Sequence, residues 1–156
     1  MKVLGIDPGT SLLGYGIIEV KQGTYRALEF GVFRTPPKIK NTDRSLLIYN
    51  FFINLVRKHQ PDRIALEKLY FAKNITTAMG VSEIRGVLVL ISAMQKTDLH
   101  EYTPLQVKQA VSSYGRAGKP QVQAMVKLIL GLDKIPKPDD AADALAIAIC
   151  CANNIV

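Results

Sequence analysis

Four carboxylates stand out by where they fall in the chain. Asp7 ends the apolar run Val3-Leu4-Gly5-Ile6 and meets the turn signal Pro8-Gly9 at once. Glu67 ends a second apolar run, "RIALE" (63–67). Asp140 and Asp143 lie three residues apart in "DDAADALAIAI", a spacing that shares one helix face. Two of these have ordinary readings: Asp before Pro-Gly starts turns, and Glu67 can pair with Lys68 on the surface. Asp143 resists one, because its neighbours are Ala and Leu in a helix that must pack closely, where a carboxylate is costly without a compensating cation. The adjacent Asp139 reads most simply as an N-cap or first-turn acid. Carboxylates that converge raise one another's pKa, and a divalent metal removes the conflict. An all-oxygen donor set favours Mg²⁺, with Mn²⁺ as substitute, over zinc. Two such ions roughly 3.5–4 Å apart activate a water and stabilise a leaving oxygen, which is the chemistry of phosphodiester hydrolysis.

Other catalytic chemistries lack their residues. His59 and His100 stand alone, and no Ser-His-Asp or Cys-His arrangement is visible. Gly9 and Gly14 form neither a GxGxxG nor a GxxxxGK phosphate loop. The adjacent Cys150 and Cys151 lie in an apolar helical run without metal-ligand spacing, and read as small buried hydrophobes of a reducing compartment.

The acids sit in a basic chain. Twenty Lys+Arg against 13 Asp+Glu give a net charge of +7, which points to a polyanionic partner. No acid occurs between Tyr102 and Leu132, a stretch that holds Lys108, Arg116, Lys119 and Lys127. Lys68 and Lys73 flank the aromatics Tyr70 and Phe71. Bases contact phosphates and aromatic rings stack on unpaired nucleobases; the plainer readings are a solvated face and, for one of the two rings, a place in the core.

These residues need elements to hold them. Strands are expected at 2–7, 14–20 and 24–35, the last two joined by a short hairpin at Lys21-Gln22-Gly23, then at 62–67 and 99–102. Helices are expected at 43–59, capped by Asn41 or Thr42, at 74–95, from Pro104 with Thr103 as N-cap, at 119–131 ended by Gly131, and at 138–152. Residues 113–118 read as a mobile loop. The order predicts an α/β fold with a mixed five-stranded sheet, an antiparallel meander of three strands followed by parallel strands, with helices on both faces. Were the first and fourth strands parallel neighbours, Asp7 and Glu67 would emerge at one sheet edge, where open α/β sheets bind ligands. Residues 75–95 are apolar on more than one stripe, which asks for a second packing surface such as another copy of the chain, or for burial in the core. The 156 residues suit a single domain, 1–156. The longest apolar run, 86–94, is too short for a bilayer, and no signal peptide is visible. A cytoplasmic protein with no membrane partner is expected.

Taken together, "GIDPGTSLLGYGII", "ALEKLYFAKN", "YTPLQVKQAVSSYGRAGKPQVQAMV" and "DDAADALAIAI" resemble the RuvC-type Holliday-junction resolvases, in order and spacing, over nearly the whole chain. The resemblance implies a ribonuclease-H-like fold, a homodimer, and Mg²⁺-dependent endonuclease action on four-way DNA junctions in recombination and repair. It implies paired symmetric nicks that leave 5′-phosphate ends, and cooperation with a branch-migration motor complex. Matched by motif, Asp7, Glu67, Asp140 and Asp143 would be the catalytic metal ligands. Tyr70 stands where the family usually places a Phe that stacks on a junction base. Lys108 and Lys119 match basic positions near the junction phosphates. Asp139, beside Asp140, leaves open which of the two faces the metal, and relatives with a polar tail extend beyond the position of Val156.

Two readings from other classes compete. A non-catalytic junction-binding module would bind without cutting. An actin-like ATP-binding protein shares the fold and a similar first loop, "IDPGT", but needs two such domains around its nucleotide. A nuclease of the same fold acting on RNA is disfavoured by the long match through "QVKQAV" and "DAADALAIAI".

Overall fold

The computed structural model describes residues 1–68 and 75–154. Its elements run β1 (Lys2–Asp7), β2 (Leu12–Lys21), β3 (Thr24–Arg34), α1 (Asn41–His59), β4 (Arg63–Glu67), α2 (Ile75–Gln95), β5 (Asp98–Tyr102), α3 (Pro104–Ser112), α4 (Lys119–Ile129) and α5 (Asp139–Asn153). The strands form one sheet in the order β3-β2-β1-β4-β5. β1, β2 and β3 pair antiparallel, whereas β4 joins β1 and β5 joins β4 in parallel. Gln22 and Gly23, both at positive φ (49° and 77°), close the β2–β3 hairpin in two residues, the backbone that matches strand twist. The expected mixed sheet is therefore present.

Alternation along β1 divides the core. Val3, with Ile18 and Ala65, faces α3, α4 and α5, while Leu4 and Ile6 face the other layer. That second layer is built from Ile48, Phe52 and Val56 of α1 and Ile84, Leu88 and Ile91 of α2. On the first face α5 lies unusually close to the sheet. A Cβ on Gly5 would stand 2.1 Å from the Ala144 carbonyl oxygen, and one on Gly16 would stand 2.7 Å from Leu145 Cδ2. Glycine in the strands and alanine in the helix are both needed for that approach.

Some local expectations are corrected. α1 begins at Asn41, so neither Asn41 nor Thr42 is its cap; Lys40 holds the N-cap position without a side-chain bond. The Asn41 amide is used elsewhere, donating to Glu83 of α2 at 3.2 Å. α4 ends at Ile129 rather than 131, and Gly131 takes the left-handed conformation just beyond it. Thr103 caps α3 in a full capping box with Gln106, as the Thr-Pro start predicted. By length and composition Ala78–Gln95 of α2 is also long and apolar enough to cross a membrane, a test that a helix packed in a core passes equally well. In the fold that helix docks on the sheet, with Ile84, Leu88 and Ile91 in the core and Arg85 Nε donating to Glu101 at 2.7 Å.

Candidate active site

β1 and β4 are adjacent and parallel, with Ile6 opposite Leu66. Asp7 and Glu67, the next residues of the two strands, therefore leave the sheet side by side at its C-terminal edge. The Lys68 N–H continues the ladder, donating to the Tyr102 carbonyl at 2.8 Å. Glu67 is not spent on a surface pair with Lys68; the cations that act on its carboxylate are Lys108 and Lys119.

α5 supplies the third side. A Cβ on Gly14 would stand 2.0 Å from the Asp140 carbonyl oxygen, so bare backbone in β2 lets the first turn of α5 settle against the sheet. One turn on, Asp143 enters the same cleft as Asp7 and Glu67, a hollow of about 260 Å³ floored by Val107, Val122 and Ile147 and flanked by Lys108 and Lys119. The cation that Asp143 demands comes from the start of α4, where Lys119 Nζ stands 2.9 Å from Asp143 Oδ2.

The electrostatics record the crowding. Burial, then the charges of Glu67, Asp143 and Asp140, push the Asp7 carboxyl up to about 7, against the opposing pull of Lys119. Burial and then Asp143 also raise Glu67. Lys119 is held above the usual lysine range by its bond to Asp143. Asp140 lies outside the cleft lining, yet its charge reaches Asp7. Asp139 is turned the other way: Lys137 Nζ bonds it at 2.9 Å and, with Gln123, holds its carboxyl below the usual range. Both neighbours act on the cleft: Asp140 on Asp7, and Asp139 and Asp140 together on Lys119.

The donor set fits a hard divalent cation, since the groups that crowd one another are all carboxylates. They are not drawn into a finished cage: among the described residues no group of three His, Cys, Asp or Glu side chains stands close enough to hold an ion as arranged. Lys119 occupies one oxygen of Asp143. A metal at Asp143 would have to share the carboxylate with that ammonium or displace it.

Arg116 is exposed in the loop between α3 and α4, outside the cleft lining, and Lys127 lines a separate hollow with Leu128 at the far end of α4. Tyr70 and Lys73, with Phe71, lie outside the described residues. The histidines stay out of the cleft: His59 Nε2 bonds Glu29 at 2.8 Å, and His100 lies on β5. Cys150 and Cys151 are free and fully buried. Sequence reading missed the glycine bed under α5; its signal was Gly5, Gly14 and Gly16 in the first two strands set against the alanines of "AADALAIA".

The profile of the family described as crossover junction endodeoxyribonuclease RuvC matches residues 3–151. The chain belongs to the RuvC family. RuvC of Halothermothrix orenii is 49% identical over 154 residues, covering 99% of this chain and 93% of that protein. RuvC of Ruminiclostridium cellulolyticum is 50% identical over 154 residues, with the same shares of 99% and 93%. Among solved structures, Thermus thermophilus RuvC superposes with a TM-score of 0.92 at 33% identity, over 98% of this chain and 94% of that one. The T. thermophilus RuvC complex with Holliday junction substrate gives 0.90 at 32% identity, over the same 98% and 94%. The fold is thus the ribonuclease-H-like arrangement of RuvC, and the RuvC family is one of endonucleases.

Proposed function

We propose that this protein resolves four-way DNA junctions in homologous recombination and repair, as a single metal-dependent nuclease domain. One observation carries the reading: Asp7, Glu67 and Asp143, from three separate elements, line one cleft that Lys108 and Lys119 also enter. Membership of the RuvC family and likeness to the T. thermophilus RuvC–junction complex support the substrate.

In this reading Asp7, Glu67, Asp140 and Asp143 hold Mg²⁺, with Mn²⁺ as substitute and two ions per site. Bound there, magnesium would supply the Lewis acidity that activates a water and stabilises the leaving oxygen. The chain's own residues do the rest. Asp7 and Glu67 fix negative charge at a strand edge that cannot shift without breaking the sheet, and Asp140 and Asp143 add theirs from α5. Lys108 and Lys119 bring positive charge to the scissile phosphate and offset the repulsion between DNA and acids. Val107, Val122 and Ile147 keep the floor dry, which strengthens each charge interaction above it. Tyr70 stacks on a junction base, and Lys73 and Arg116 contact phosphates beyond the cut.

Symmetric cutting needs two sites. α2 leaves Met79, Val89, Leu90 and Met94 exposed, beside Leu46 and Leu47 of α1, an apolar surface suited to a twofold homodimer. The nicks leave 5′-phosphate ends, and a branch-migration motor feeds the junction to the dimer in the cytoplasm.

The test is a labelled synthetic junction with a mobile core, incubated with Mg²⁺ or EDTA beside a linear duplex of the same sequence. Paired nicks in the junction alone, dependent on Mg²⁺ and abolished in Asp7→Asn with binding retained, are expected. Binding without cutting in any metal would establish the junction-binding module instead.

A further inference from the structure

The C-terminal sheet edge has a second basic flank. Between Glu29 and Asp43 no acid occurs, and the stretch holds Arg34, Lys38 and Lys40. All three are exposed, and none forms an ion pair among the described residues. Because β2 runs antiparallel to β1, with Asp7 opposite Gly14, the start of β2 and the end of β3 share the edge that carries Asp7. Leu12 faces Arg34 across that pair. The edge thus reads in order Arg34, Leu12, Asp7, Glu67, Tyr102, with Lys108 and Lys119 beside the Asp7–Glu67 cleft and the 34–40 segment at the β3 end.

The segment is tied to the loop that follows Asp7. The Thr35 N–H donates to the Ser11 carbonyl at 3.0 Å. Arg44 of α1 donates through Nη1 to the Thr10 carbonyl at 3.4 Å and to Ser11 Oγ at 3.3 Å. The same nitrogen also donates to Thr35 Oγ1. Arg44 is thus consumed as a brace, while Arg34, Lys38 and Lys40 are left free. Pro36 and Pro37 stiffen the stretch between them, which lowers the entropy cost when a ligand orders it.

The geometry points to residues 34–40 as a second phosphate-contacting strip, which holds the DNA strand leading away from the cut on the side opposite Lys108 and Lys119. Two strand spacings, about 10 Å, separate β1 from β3, which corresponds to roughly three base-pair steps measured along a duplex axis at 3.4 Å each. A strand whose phosphate sits over Asp7 therefore reaches the strip within one short arm segment. This inference rests on the junction-nuclease reading above.

The experiment measures equilibrium binding of the full chain to the synthetic four-way junction in EDTA across a salt series. The variant R34Q/K38Q/K40Q is compared with K21Q/R57Q/K96Q, which removes the same charge at the opposite sheet edge. Each cation withdrawn from a phosphate should reduce the slope of log K against log salt by about 0.9, so the slope of the strip variant should fall by about two to three units and its binding weaken by about tenfold or more. The single substitutions K38Q and K40Q, at exposed positions, should each lower the slope by about one unit and give the answer should the triple variant fold poorly. A strip variant, or single variants, with the slope and Kd of the opposite-edge control would overturn the strip. Failure of the wild-type protein to bind the junction at all would instead overturn the function on which it rests.

Discussion

Gly14 lies beneath the main-chain carbonyl of Asp140, so close that a Cβ on the glycine would come within 2.0 Å of that oxygen. The height of α5 above the sheet, and with it the position of Asp143, is therefore set by a strand residue that has no side chain. Gly14→Ala should push the first turn of α5 outward. A displacement near 1 Å at a catalytic group costs about a hundredfold in rate, so single-turnover junction cleavage should fall by that order while junction binding persists. Gly5→Ala, whose Cβ would meet the Ala144 carbonyl at 2.1 Å, should instead cost about 1–3 kcal/mol of stability, read by denaturant titration. Wild-type cleavage in Gly14→Ala would show that α5 is not held this way.

The crowded carboxylates make stability depend on pH. Asp7 sits at about 7 in the folded protein against an ordinary value of 3.8, so the folded state holds its proton longer than the unfolded state does. The stabilisation is full below about pH 4 and is lost as pH rises through about 7. Glu67, raised in the same direction, adds the same sign. In EDTA the melting temperature should fall between about pH 4 and pH 7, and Asp7→Asn should flatten that fall. Equal slopes for the two proteins would remove Asp7 as the cause.

Lys119 binds one oxygen of Asp143 and so competes with any cation that approaches that carboxylate. Lys119→Met should therefore bind Mn²⁺ more tightly than the wild-type protein when no DNA is present, measured by calorimetric or spin-resonance titration. The same variant should cleave junctions more slowly, because the phosphate is deprived of a cation. Weaker Mn²⁺ binding in Lys119→Met would mean that the lysine supports the metal rather than competing with it.

Burial drives the Cys150 thiol up to about 12, and burial likewise raises Cys151. Only thiolates react readily. Both thiols should stay silent to an aromatic disulfide reagent at pH 8 until denaturant is added, and then react together. Stoichiometric reaction in the native protein would contradict their packing.

Much of this site was legible before any coordinates. Asp7 and Glu67 each end an apolar strand, and parallel pairing of those strands was the only further condition for bringing them together. Asp143 announced itself as a charge among alanines. What stayed hidden depends on contacts between distant segments. The partner of Asp143 is Lys119, 24 positions away, and no local spacing identifies it. The Lys137 partner of Asp139 likewise could not be read from the spacing of the acids. The caps divide in the same way. Thr103 was readable because its capping box is local, whereas the start of α1 was not, because Asn41 is drawn to Glu83 on another helix.

β1 is paired on both sides along its length, antiparallel to β2 and parallel to β4. Asp7 thus ends a strand of the doubly paired centre of the sheet, and Glu67 ends the next strand, which is paired on both sides as well. Lys119 opens α4, a helix laid over α3 and α5 that can loosen without breaking a strand pair. The strand-borne acids Asp7 and Glu67 are thereby held by the sheet, whereas Lys119 is held by helix packing, so a local opening of α4 would move the lysine and leave those two acids in place.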